Sequence, residues 1–193
     1  MSRPLETRSP EIRRAVQAPE YEAARRLLRE YQAAIEVDLC FQGFEAELAD
    51  LRARYSGAGR GLWLAWAGAL PLGCVALVPA NLATPADLAS PAAADTAELK
   101  RLYVRAEAQG TGLGRALAET VLTAARAAGY ARVRLETLTR LERANRLYGR
   151  LGFTEVADFT DSGRAAGTRF LARALGERDS PARRARQLGA QLG

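Results

Sequence analysis

In AQGTGLGRAL, residues 108–117, three glycines alternate with other residues and lead into an apolar helical periodicity. Backbone of this kind suits an anion, because unpaired N–H groups at a helix start and the helix dipole both favour a phosphate. Two common phosphate loops are excluded by one residue. The dinucleotide fingerprint needs a glycine three residues after Gly112, and the triphosphate loop needs one five residues after Gly110; both positions are Arg115. What remains is Gln-x-x-Gly-x-Gly over residues 109–114. There Gly110 can take a positive φ, while Gly112 and Gly114 lack the Cβ atoms that would hold a phosphate away from the main chain. The same glycines would serve a tight turn, so the loop alone leaves both uses open.

Proton transfer has few candidates in this chain. It contains no histidine, which removes most zinc sites and the Ser-His-Asp and Cys-His pairs and leaves carboxylates, tyrosine, cysteine or solvent. Cys40 and Cys74 lie 34 residues apart in apolar surroundings, a context for small buried side chains rather than a disulfide or a metal. With 48% hydrophobic residues in 193, one packed domain with tails is expected. No run of about 18 apolar residues is present to span a bilayer, and residues 1–14 are polar and charged rather than a secretion signal. The reading is a cytoplasmic protein with no membrane partner. The net charge of +6 comes from arginines spread over every segment, without the clustered basic face that nucleic-acid recognition needs, so no nucleic-acid partner is expected. Arg183, Arg184 and Arg186 sit among small polar residues and are expected to belong to a frayed end rather than a docking site.

Positioning the glycine loop requires a strand before it and a helix after it, and the pattern supplies both. Residues 11–16 read as a short strand, followed by a helix from Pro19 and Glu20 with Leu27, Leu28, Tyr31, Ile35 and Leu39 at spacings of three or four. Residues 44–55 repeat that period through Phe44, Leu48, Leu51 and Tyr55 as one helix, ended by Gly57, Gly59 and Gly61. Residues 62–67 and 72–78 are apolar runs joined by GALP, a hairpin signal. After a long connection over residues 79–96, residues 97–104 form a strand that feeds the loop. Arg101 and Tyr103 on it are expected to face opposite layers. The helix over residues 112–128 puts Leu113, Leu117, Val121, Leu122 and Ala125 on one face, Gly129 caps it, and residues 131–138 alternate as a strand. This strand-helix-strand unit places the loop at a helix N-terminus between parallel strands.

The next segment, TRLERANRLYGRLGFTEV, reads as a helix from Glu142 to Leu151 with Ala144, Leu147 and Leu151 inward, then Gly152 as cap and Phe153 opening a strand. Here the chain resembles the GNAT superfamily of acyl-CoA-dependent N-acyltransferases. That family carries Arg/Gln-x-x-Gly-x-Gly/Ala in one loop and Asn, Tyr and Gly-Phe around its next helix. This sequence has Gln109, Gly112 and Gly114, then Asn145, Tyr148, Gly152 and Phe153, with ELKRLYV and GTRF as matching flanks. Gln109 stands where arginine is commoner. The resemblance covers residues 9–174 as one acetyltransferase domain, with residues 1–8 and 175–193 as flexible ends. It implies an α/β (α+β) fold: a mixed, twisted sheet with helices on both faces and a splayed parallel strand pair.

The resemblance also implies the chemistry. Moving an acetyl group from acetyl-CoA to an amine needs a pyrophosphate cradle, a donor for the carbonyl oxygen, a route for the amine proton and a proton for the thiolate. The cradle maps to the backbone of Gly110, Thr111, Gly112, Leu113, Gly114 and Arg115 beside Gln109. The carbonyl donor maps to a bulged strand at Leu102, Tyr103 and Val104. Tyr148 stands where the family keeps its general acid. Glu98, 11 residues before Gln109, is the candidate base, and a strand-end ion pair with Lys100 or an arginine is its alternative. Asn145 would either bind the pantetheine arm or cap its helix region. No metal is implied. The acceptor is an unidentified amine shaped by residues 20–55, 80–96 and 158–166, and the resemblance leaves a homodimer open. The rival is a non-catalytic acyl-CoA-binding sensor, against which the presence of both Glu98 and Tyr148 speaks.

Overall fold

The computed structural model describes residues 10–35, 43–80, 95–159 and 166–176. Its elements run β1 (Glu11–Arg14), α1 (Ala18–Ile35), α2 (Phe44–Ala49), α3 (Leu51–Tyr55), β2 (Gly61–Ala67), β3 (Leu70–Pro79) and β4 (Thr96–Val104), then α4 (Leu113–Ala127), β5 (Arg132–Leu138), α5 (Glu142–Arg150), β6 (Thr154–Glu155) and β7 (Thr168–Ala174). Leu39, Cys40, most of the long connection after β3 and the arginine-rich tail lie outside the described residues.

The helix that starts near Pro19 is capped from within: the Glu20 carboxylate accepts the amides of Val16 at 2.6 Å and Gln17 at 2.9 Å, and these bonds hold its pKa below the usual value. The single helix expected over residues 44–55 is two. Asp50 breaks it by taking φ −139° and ψ 72°, and its side chain then accepts the Ala53 amide at 2.8 Å to start α3. An aspartate competes well for such a cap, which the apolar period running through it conceals.

The strands form one mixed sheet in the order β1-β2-β3-β4-β5-β7-β6. Only β4 and β5 are parallel, as a strand-helix-strand crossover requires. Strand alternation divides the core into two layers. Val75 and Leu77 of β3, Ala97 and Leu99 of β4 and Val133 and Leu135 of β5 pack with Leu117, Val121 and Leu122 of α4. Cys74, Ala76 and Val78 face the other way, onto Leu27 and Leu28 of α1, Phe44 and Leu48 of α2 and Tyr55 of α3. Helices therefore cover both faces of the sheet. The seam between the layers, where β4 meets β5, is where the glycine loop emerges.

Candidate active site

The parallel pair separates early. β4 and β5 are in register only at Thr96 with Arg132, Ala97 with Val133 and Glu98 with Arg134, and beyond that the strands part. Across β4's other edge the register with β3 slips: Ala76 faces Lys100 and Cys74 faces Tyr103, so Arg101 and Leu102 together oppose Val75. This is a β-bulge. It turns on Arg101, whose φ of 58° is the one left-handed value at a non-glycine residue among the described residues, a conformation that costs about 1–3 kcal/mol. The bulge also corrects the expected facing of Arg101 and Tyr103. Both lie on the α1–α3 side, Arg101 bonded to Glu47 of α2 and Tyr103 packed at 6.1 Å from the Tyr31 ring: positions two apart share a face, and the extra residue turns that face away from the α4 side, where Ala97 and Leu99 point. Gly73 makes room opposite, since a Cβ there would lie 2.5 Å from the Tyr103 carbonyl oxygen.

The glycine loop closes the end of β4. Gln109 donates to the Val104 carbonyl at 3.0 Å and accepts from Arg143 of α5 at 3.2 Å, so its side chain links the strand's end to the helix across the gap. Thr111 donates back to Ala108 at 2.8 Å. Gly110 has φ 83°, as expected, and Gly112 has φ 91° at the N-cap of α4, so Gly112 serves backbone conformation as well as clearance. Ala116 makes the first bond of the helix ladder, to Gly112 at 3.1 Å, which leaves the amides of residues 113–115 at the open helix start. Leu113 is buried beneath them, and Arg115 is exposed and paired with Glu119. A Cβ on Gly114 would sit 3.7 Å from both Leu147 and Val104, inside the mouth of the gap.

On the far side of the gap stands α5. Tyr148 is 6% exposed, its ring packs edge-on to Phe153 at 5.8 Å, and burial pushes its phenol pKa up, with Tyr31 adding to the shift. Asn145 donates to the carbonyls of Leu138 at 2.9 Å and Thr139 at 3.2 Å, so it holds the end of β5. Its Oδ1 is buried without a partner among the described residues. That is an acceptor with capacity to spare.

Glu98 sits at the last paired position before the strands part. It is 1% exposed, with Oε1 2.8 Å from Lys100 Nζ and Oε2 3.3 Å from Arg134. Arg134 in turn stacks over the Phe159 ring at 4.1 Å. A second carboxylate was missed in the sequence. Glu136, two residues beyond Arg134 on β5, shares its face where β4 no longer pairs, and it is half-buried. Alternation assigns that face from sequence, but only the early end of the β4–β5 pairing reveals that the face borders a gap.

The Acetyltransferase (GNAT) family matches residues 21–153, from α1 through Phe153. This chain belongs to the GNAT acetyltransferase family. The GNAT chain is 34% identical over 129 residues to an uncharacterised N-acetyltransferase of Schizosaccharomyces pombe, covering 66% of this chain and 72% of that protein. It is 35% identical over 110 residues to N-acetyltransferase 8F1 of Rattus norvegicus, covering 57% of this chain and 47% of the rat protein, so it spans about half the length of that relative. A GNAT acetyltransferase of Staphylococcus aureus shares the fold with TM-score 0.68 at 17% identity, over 87% of this chain and all of its own. A putative acetyltransferase of Salmonella typhimurium, solved with its cofactor acetyl-CoA, does so with TM-score 0.66 at 21% identity, over 90% of this chain and 98% of its own. The GNAT match includes the bulge, the glycine loop and α5, while β1, β6 and β7, which complete the sheet, fall outside it.

Proposed function

We propose that this N-acetyltransferase moves an acetyl group from acetyl-CoA directly to an amine bound on the α1–α3 side of the gap between β4 and β5. The observation that carries the reading is the gap itself, open after three residue pairs, with a helix start at its mouth. The chain's residues fit acetyl-CoA. Gly110 and Gly112 hold left-handed conformations that free the amides of residues 110–115 for a pyrophosphate, and the orphan Asn145 Oδ1 suits an amide N–H of the pantetheine arm. When bound, acetyl-CoA supplies the activated acyl group.

The roles then follow from position. A backbone N–H among Leu102, Tyr103 and Val104 donates to the thioester oxygen as it gains charge. The amine nitrogen forms the new bond to the carbonyl carbon, and the carbon–sulfur bond breaks. Tyr148, kept protonated by its burial, returns a proton to the departing sulfur. For the proton leaving the amine the structure offers two carboxylates. Glu98 lies where the strands still pair and Glu136 lies beyond that point, which favours Glu136 as the carboxylate nearer the acceptor; Glu98 acting through water is the alternative.

The test is to incubate the protein with acetyl-CoA and a panel of amines, amino acids, polyamines and peptides while following free thiol. Thiol release that depends on one acceptor class supports the transfer. Tight acetyl-CoA binding with no release across the panel would favour a non-catalytic acyl-CoA sensor instead.

A further inference from the structure

The bulge in β4 is held by a group that no motif identifies. We propose that Glu47 of α2 and Arg101 of β4 form a positioning pair, whose buried contact keeps Arg101 in its left-handed conformation and so directs the amides of residues 102–104 into the gap. The inference rests on the acyl-transfer reading above and adds to it the device that shapes the carbonyl donor.

The geometry is specific. Arg101 Nε donates to Glu47 Oε1 at 2.9 Å and Nη2 to Oε2 at 2.7 Å, a two-point contact that fixes the guanidinium plane. The Tyr55 hydroxyl donates to Oε1 at 2.6 Å, and the guanidinium lies 5.0 Å over the Phe44 ring. Both charged side chains are nearly fully buried, at 5% and 6% exposure. The main chain of the same residue is held too, because the Cys74 thiol lies 3.5 Å from the Arg101 carbonyl oxygen. Burial alone would raise the Glu47 pKa, but the Arg101 hydrogen bonds and charge outweigh it and hold the carboxyl below its usual value. A buried ion pair stabilises little beyond an apolar contact of the same size, so stability alone does not account for placing one here. What the pair supplies is direction. A long side chain fixed at its tip restricts the backbone at its root, and the root here has the left-handed φ around which the β4 register slips.

The pair can be separated from its consequence by comparing two double variants. Arg101→Ala/Glu47→Gln removes the pair and leaves a residue that disfavours positive φ, whereas Arg101→Gly/Glu47→Gln removes the pair and leaves one that accepts it. Calorimetry with acetyl-CoA and with CoA reads the thioester carbonyl without any acceptor. The wild type should prefer acetyl-CoA, and the alanine double variant should lose about three- to tenfold of that preference, the range for one hydrogen bond, with CoA affinity unchanged. The glycine double variant should recover the preference to within about twofold of wild type. A preference kept in the alanine variant, or lost equally in both, overturns the inference; a purely structural role would weaken CoA and acetyl-CoA alike. If the double variants do not fold, Arg101→Lys keeps the charge and loses the fork, and an unaltered preference there overturns it as well. Absence of acetyl-CoA binding by the wild type would instead remove the acyl-transfer reading on which the inference stands.

Discussion

Tyr148 is suited to proton donation by its surroundings. Burial raises its pKa, so the phenol stays protonated across the neutral range. Tyr148→Phe should keep the packing against Phe153 and hold acetyl-CoA affinity within about twofold, while kcat falls about a hundredfold. An unchanged kcat would remove the assignment. The two carboxylates separate by pH and by stability. Glu98→Gln removes the buried carboxylate charge between Lys100 and Arg134 and should lower stability by about 3 kcal/mol, visible in the denaturant midpoint. Glu136→Gln should slow turnover most near neutral pH, recovering as pH rises and more of the amine is already free base. If the recovery with pH belongs to Glu98→Gln instead, the base is Glu98.

At the scale of elements, the start of α4 and the end of β4 form the site together, and glycine does different work at each position. Gly112 needs its left-handed φ, so Gly112→Ala should lower stability by about 1–2 kcal/mol in a thermal or denaturant titration. Gly114 has no such need. Its Cβ would meet Leu147 and Val104 at ordinary contact distance, so Gly114→Ala should be tolerated, while the two extra methyl groups of Gly114→Val enter the gap and should weaken acetyl-CoA binding at least about tenfold by calorimetry. Equal affinity in Gly114→Val and wild type would make the loop a turn and nothing more. The division of residues 44–55 at Asp50 has a consequence here too. It yields two short helices, one carrying Glu47 and the other Tyr55, whose side chains meet at 2.6 Å beside Arg101.

Across the whole molecule, the layer between the sheet and α1–α3 stores several ionisable groups in one protonation state. Burial pushes the Cys74 thiol up to about 12 from 9.0 and also raises Tyr31 and Tyr55 there, as it does Tyr148 in the other layer. A raised folded-state pKa means that the folded chain holds its proton longer than the unfolded one, so this stability is fully present below the unfolded pKa and is lost as pH rises through the folded value. The melting temperature should therefore fall from about pH 9 upward. Glu47 acts with the opposite sign: its lowered pKa contributes stability above 4.5 that is lost as pH falls through the folded value. A melting temperature flat from pH 9 to 12 would mean that the buried layer opens to solvent. The Cys74 thiol should likewise resist alkylation at pH 8 until the protein is denatured.

By itself the sequence determined the order of elements, the glycine loop at a helix start and the assignment of Tyr148, Asn145 and Phe153 to one helix end. Each of these is written in neighbouring residues: a period of two or three and a half, a glycine where φ is positive, a fixed spacing between motifs. It also identified Glu98 and its competing use as an ion-pair partner. The tertiary structure alone decided where β4 and β5 part, that Glu136 borders the gap, and that Arg101 and Tyr103 face the α1–α3 layer. Those depend on pairing between distant segments. Glu47 and Arg101 are 54 residues apart, and nothing local to either marks it, because an arginine in a strand and a glutamate in a helix have ordinary surface uses until the chain packs one against the other and excludes water from both.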